Sequence, residues 1–186
     1  MHCEASASTI SKYTDDGQNL WHRELGGGAC LDFCTDDTGN SYSLNYDGEN
    51  TILKKYNPQG TAEWSVPLAH RATAVYYSDQ SDCLWVGEYL IGKPQQTALH
   101  CYNTESGAKI QTIPLSIDEH FDYGPIMELK VTHILEHAGF LYIAGEAENE
   151  SHSQGFIAKV GKGVSTSLTS PNTKNTDEQF QVFPNP

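Results

Sequence analysis

Three groups of side chains in this sequence could carry chemistry. Asp118, Glu119, His120, Asp122 and Tyr123, with Phe121 among them, bring carboxylates, an imidazole and aromatic rings into one short stretch. Carboxylates and imidazole bond hydroxyls or hold cations, and rings cover apolar faces, so this group suits a sugar, a cation or a protein partner. Glu146, Glu148 and Glu150 alternate with Ala147 and Asn149. Side chains alternate along a strand, so the three carboxylates would share one face, with His152 next in the series, as a hard cation such as calcium requires. His133 and His137 stand four apart. On a strand they would be about 13 Å from each other, and no zinc-type spacing is met.

The first group is the preferred ligand site and the second the candidate metal site. A solvated connector and an acidic turn would account for the same residues without a ligand. No catalytic residue is assigned. The GGGAC run at positions 26–30 lacks the spacing of a phosphate-cradling loop, and no nucleophile elbow is present. Calcium at the glutamates is the single cofactor considered.

The elements that must position these groups follow from an internal repeat. Lys12, Tyr13, Gly17, Trp21 and Leu25 recur 43 positions later as Lys55, Tyr56, Gly60, Trp64 and Leu68. A third copy at 99–115 keeps Tyr102 and Gly107, and a fourth at 156–168 keeps Lys159 and Gly163 with Val160 in place of the aromatic. Between the copies a second piece recurs, an apolar strand, a turn and another apolar strand, with Tyr42, Trp85 and Tyr142 in the same place. In this alignment His133 falls where Phe33 and Tyr76 stand. Turns rich in Gly, Asn and Asp separate short runs of alternating character, and no stretch keeps the apolar period of a helix.

Units of about 40 to 45 residues with four strands are the signature of β-propeller blades. The sequence therefore predicts an all-β chain, a partial β-propeller of about 3.5 four-stranded antiparallel blades. Residues 1–9 form a disordered N-terminus, 10–25 a half blade, 29–68, 72–115 and 131–168 blades, and 169–186 a disordered polar tail. One blade cannot bury both faces alone, so Trp21, Tyr42, Tyr56, Trp64, Trp85, Tyr102 and Tyr142 are expected to pack blade against blade.

Gly39, Asn40, Tyr42, Lys55, Tyr56, Gly60 and Trp64 in one unit, and Gly139, Tyr142, Gly145, Phe156, Lys159 and Gly163 in the last, carry a resemblance to the SBBP family of seven-bladed propeller repeats. LHCYNTESGAKI in the middle unit is similar to the quinoprotein-like superfamily of propellers. Quinoprotein dehydrogenases use a vicinal disulfide and a calcium site, and this sequence has no adjacent cysteine pair. The resemblance therefore implies a non-enzymatic binding or scaffold module; the alternative is the propeller portion of a hydrolase, lyase or quinoprotein-like enzyme with its catalytic residues elsewhere. Phe183, Pro184, Asn185 and Pro186 resemble the opening of a type IX secretion sorting domain, which implies an extracellular or cell-surface parent.

Charge narrows the partners. With 24 acidic and 11 basic residues the net charge is −13, which repels nucleic acid and anionic lipid. No run approaches the roughly 20 apolar residues of a membrane span, and the opening MHCEASAST has no leader pattern, so a soluble chain with no membrane insertion is expected. The partner expected is a protein or a glycan. Two chains of 3.5 blades each would also make a seven-bladed ring, so a homodimer is a further expectation. The five cysteines, at 3, 30, 34, 83 and 101, are too few and too scattered for a disulfide framework and read as small buried hydrophobes. Unbridged thiols keep open a cytoplasmic, protein-binding propeller.

Overall fold

The computed structural model describes residues 8–25, 28–117, 125–161 and 166–168. It is all-β: among the described residues fourteen strands lie in four sheets that close no barrel, and the one helical piece is a 3-10 turn at Pro94–Gln96. The first sheet is β1 (Thr9–Tyr13) with β2 (Asn19–Glu24). The second runs β3 (Ala29–Thr35), β4 (Ser41–Tyr46), β5 (Thr51–Tyr56) and β6 (Ala62–Pro67). The third holds β7 (Arg71–Ser78), β8 (Cys83–Tyr89), β9 (Ala98–Asn103) and β10 (Lys109–Ile117). The fourth holds β11 (Glu128–His137), β12 (Phe140–Glu148) and β13 (Ser153–Gly161). All these neighbours are antiparallel.

The repeat survives in the hydrogen bonding. β5 and β6 stand to each other as β1 and β2 do, and the pairing slips at the same place, between Lys12 and Tyr13, between Lys55 and Tyr56, and near Lys109. The first strand of each larger sheet carries a bulge too, at Leu31, Thr73 and Thr132. These first strands lie side by side, β3 by β7 and β7 by β11. Residues at or near the bulges link them: the Val75 amide donates to Asp32 Oδ2 at 2.8 Å, and Thr73 Oγ1 donates to the Val131 carbonyl at 2.7 Å.

Two apolar layers lie between sheets. Tyr42, Leu44 and Leu53 of the second sheet meet Leu84, Val86 and Tyr102 of the third. Trp85, Leu99 and Ile113 of the third meet Leu129, Val131, Leu141 and Phe156 of the fourth. Neighbouring sheets are further held by a repeated contact at their edges. Trp21 on β2 donates its indole N–H to the Pro58 carbonyl at 2.9 Å, and Trp64 on β6 donates to the Thr104 carbonyl at 3.1 Å. Each ring lies on a glycine in the turn of the next sheet. A Cβ on Gly60 would stand 2.7 Å from the Trp21 ring, and one on Gly107 would stand 3.1 Å from the Trp64 ring. Both glycines also have positive φ, +77° and +69°, which other residues adopt at a cost.

Two expectations are corrected. The last unit has three strands, not four, because β14 (Thr166–Leu168) leaves it and pairs in parallel with β10 at Leu115–Ile117. The cysteines are not all lone hydrophobes. Cys83 and Cys101 form a disulfide across β8 and β9 with Cα atoms 6.1 Å apart, because the antiparallel register sets them diagonally on one face. Cys30 is free and exposed, and Cys34 is free with its thiol pushed up to about 12 by burial and by the charge of Asp32. Cys3 lies outside the described residues.

Trp64→Ala is expected to cost ~3 to 5 kcal/mol, and Gly60→Ala ~1 to 3 kcal/mol, in urea unfolding. An unchanged midpoint in either variant would remove the edge contact from the account. Closing 18 residues of sequence separation, the disulfide should contribute about 3 kcal/mol, read as a lower melting temperature in dithiothreitol that Cys83→Ser reproduces.

Candidate functional site

The preferred ligand group, Asp118, Glu119, His120, Asp122 and Tyr123, lies outside the described residues. The glutamate series is split by the end of its strand. Glu146 and Glu148 stand two apart on β12, but Glu150 falls in the turn that follows, where the Asn149 side chain caps the amides of Ser151 and His152. Glu148 is met by Lys130 Nζ at 3.2 Å, and the same ammonium reaches Glu128 at 3.4 Å. These ion pairs compete with a cation, and no group of three or more metal-ligating side chains occurs among the described residues. His133 and His137 are both on β11, His137 at its last pair opposite Phe140. The register also revises their alignment: Tyr76 pairs with Trp85 as Cys34 does with Tyr42, so His133 stands at the place of Ala74 and Asp32, not of an aromatic.

A polar cluster absent from the sequence reading sits at the layer between the second and third sheets. Glu88, fully buried at the end of β8, accepts a hydrogen bond from the Tyr102 hydroxyl on its Oε1. Lys109 Nζ stands 3.6 Å and His100 Nε2 3.9 Å from that same oxygen. The other oxygen, Oε2, has no hydrogen-bond partner among the described residues, nor has Nδ1 of the nearby His70. His100 Nδ1 faces Thr112 Oγ1 at 2.9 Å. β8, β9 and β10 bring the four side chains together through one register, in which Val86 pairs with His100, Leu84 with Tyr102, and Tyr102 with Lys109.

The electrostatics follow from burial. Desolvation lowers the His100 pKa and outweighs the pull of Glu88, with Lys109 and His70 adding to the lowering. Burial first, and then the hydrogen bond and charge of Glu88, raise Tyr102. The cluster thus keeps the Tyr102 phenol protonated and His100 toward its neutral form around a buried carboxylate, one oxygen of which has no hydrogen-bond partner among the described residues.

A second feature is a cleft of about 230 Å³ between the first and second sheets, lined by Lys12, Trp21, Phe33, Asp36 and Ser41 among others. Among the described residues β1 and β2 have no further strand beside them to cover β3. Phe33 is 61% exposed there, although its neighbours on the strand are less so. Lys12 corresponds to Lys55, whose ammonium meets Glu63 at 2.9 Å; the position of Glu63 is taken by Leu20 in the first sheet. Lys12 therefore has no carboxylate partner among the described residues. In the turn between β3 and β4, burial raises the Asp36 pKa, but donors from Asn40, Thr38 and Tyr42 together hold it below its usual value. An aromatic wall, the Lys12 ammonium and an anchored carboxylate together fit a small polar ligand with one apolar face.

Compared with known proteins, the chain matches no family model and no curated relative.

A lowered His100 pKa means that the unfolded chain binds the proton more readily than the folded one. This part of the stability is present above pH about 6.5 and is lost as pH falls through the folded value. Urea midpoints should therefore fall between pH 7 and pH 5, and His100→Gln should flatten that slope. A slope the same in both proteins would detach it from His100.

Proposed function

We propose that the chain is a β-propeller segment of the SBBP or quinoprotein-like kind that binds a protein or glycan partner rather than transforming it. The observation that carries this reading is the cleft between the first and second sheets, where Phe33 is exposed and Lys12 has no carboxylate partner among the described residues. Such a surface binds by stacking and by one charge, and a sugar ring bearing a carboxylate has both complements. The propeller reading is supported by the first strands set side by side, by the bulge at one recurring place and by the repeated edge contact. A secreted or cell-surface location is supported by the Cys83–Cys101 bridge, since disulfides persist in oxidising compartments.

A catalytic propeller is the second reading, favoured by the buried Glu88 beside His100, Tyr102 and Lys109. In it the cluster would serve as a proton store beside a substrate.

Titration with neutral and uronic-acid oligosaccharides, followed by tryptophan fluorescence and calorimetry, tests the first reading. It expects preference for the acidic sugars, a loss of at least tenfold with Phe33→Ala, and a smaller loss with Lys12→Met. Binding unaffected by both substitutions, or no binding of any sugar, would overturn the cleft as the glycan site.

A further inference from the structure

The first strands of the second, third and fourth sheets present one row of side chains to the sheet before. Register and bulges align Cys30, Phe33 and Thr35 of β3 with Ala72, Val75 and Tyr77 of β7 and with Val131, Ile134 and Glu136 of β11. In β7 and β11 the row is buried or half-buried, because β3 with β4, and β7 with β8, lie against it. Tyr77, at the place of Thr35, stacks on Tyr42 with ring centroids 6.4 Å apart. In β3 all three residues are exposed. The first sheet accounts for the contrast: among the described residues it holds only β1 and β2, which correspond to β5 and β6. The strands that β3 and β4 supply to the second sheet have no counterpart in it.

The edge on which those strands would stand is open. β5 takes β4 along the edge away from β6, whereas the matching edge of β1 has no partner among the described residues. The Leu25 amide donates to the Ser8 carbonyl, so the bonded pairs of β1 and β2 fall at even positions of β1, and the Ser11 N–H faces away from β2. The cleft lies between that edge and β3, with Ile10 and Lys12 from β1 and Phe33 and Thr35 from β3 among its lining. In the second sheet Lys55 and Leu53, at the places of Lys12 and Ile10, pair with Tyr42 and Leu44, which share a layer with Tyr77 and Val75. An added strand in the same register sets an aromatic side chain toward Thr35 and an aliphatic one toward Phe33. Main-chain bonds to an open edge give such a strand affinity, and its alternate side chains give selectivity.

We infer that a β-hairpin of a different polypeptide adds to the free edge of β1 in antiparallel register and lies over β3. The first sheet then gains the two strands that the second and third sheets have at that place, and Cys30, Phe33 and Thr35 are covered as their counterparts are. The donor is not a second copy of this chain. Its hairpins of the required pattern, β3 with β4, β7 with β8 and β11 with β12, are each built into a sheet of their own, and residues 169–186 hold three prolines and one short apolar run. This docking rests on the reading above that the opening receives a partner, which it specifies as a polypeptide.

The probe is a labelled synthetic peptide of residues 29–46, the hairpin of β3 and β4, with Cys30→Ser and Cys34→Ser, titrated with the full chain by fluorescence anisotropy. A control peptide adds Tyr42→Ser and Leu44→Ser. The chain variants are Ser11→Pro, which removes the outward amide of the edge, and Phe33→Glu, which charges the face; urea midpoints show whether each is folded, and Phe33→Glu decides alone where Ser11→Pro is not. The expected result is saturable binding of the peptide, weakened at least tenfold in the control and in either folded variant. No binding, or binding that a folded variant leaves unchanged, would overturn the inference. Acidic sugars that bind where the peptide does not would overturn the hairpin and leave the sugar reading of the cleft standing, and the reverse result would do the opposite. Self-association of the parent chain that Ser11→Pro removes would put a second copy at the edge and overturn the choice of donor.

Discussion

An indole resting on a turn glycine sets the distance at which one sheet can stand from the next, and the rest of the fold adjusts to it. With a side chain at Gly60 or Gly107 the ring would be pushed off the turn, and the indole N–H would lose the carbonyl it reaches. The apolar layers between sheets depend on that spacing, because interdigitated side chains lose much of their attraction across a small gap. Tyr42, Leu84 and Tyr102, in the layer between the second and third sheets, are buried on those terms. Each sheet is thus stable through its neighbours more than through itself.

The same stacking explains where polar chemistry survives. Glu88 is drawn into the layer by its place on a strand whose other residues are apolar, and Tyr102 and Lys109 come to it from the strands alongside. The repeated interface leaves a carboxylate oxygen and an imidazole nitrogen enclosed without hydrogen-bond partners among the described residues, and burial then holds His100 toward its neutral form. Where the stack is incomplete the opposite occurs. Beside β1 and β2 the surface of β3 is open, and Phe33, Lys12 and the anchored turn at Asp36 form a cleft. Open faces and enclosed charges are two results of one rule of stacking.

Much of the fold was legible because the repeat carries it. The Lys-Tyr, Gly and Trp spacing located β1, β2, β5 and β6, and the strand-turn-strand pieces located the remaining hairpins. The departures are all matters of register, which spacing does not report. The turn between β3 and β4 is longer than that between β7 and β8, so Phe33 and Tyr76 look equivalent in sequence but pair with different places. Cys83 and Cys101 meet because Trp85 lies opposite Cys101, a relation fixed by hydrogen bonding between strands. Glu88, His100, Tyr102 and Lys109 are dispersed over three strands, and the one hint was a single acid in the apolar run LWVGEYL. β14 breaks the pattern by pairing with a sheet other than its own, which no periodicity announces. Of the candidate sites, Glu146 and Glu148 stand together on β12, Glu150 is separated by the turn, and the cleft at Lys12 was missed because its walls come from two different units.

The first three sheets are held in place through the indole and glycine contacts at their edges. A double-mutant cycle between Trp64 and Gly107, with Trp64→Ala, Gly107→Ala and the pair followed by urea unfolding, addresses it directly. The account predicts that the alanine at 107 costs less once the indole is gone, with a coupling larger than about 0.5 kcal/mol. Strict additivity of the two substitutions would contradict it, since two groups that do not touch have nothing to share.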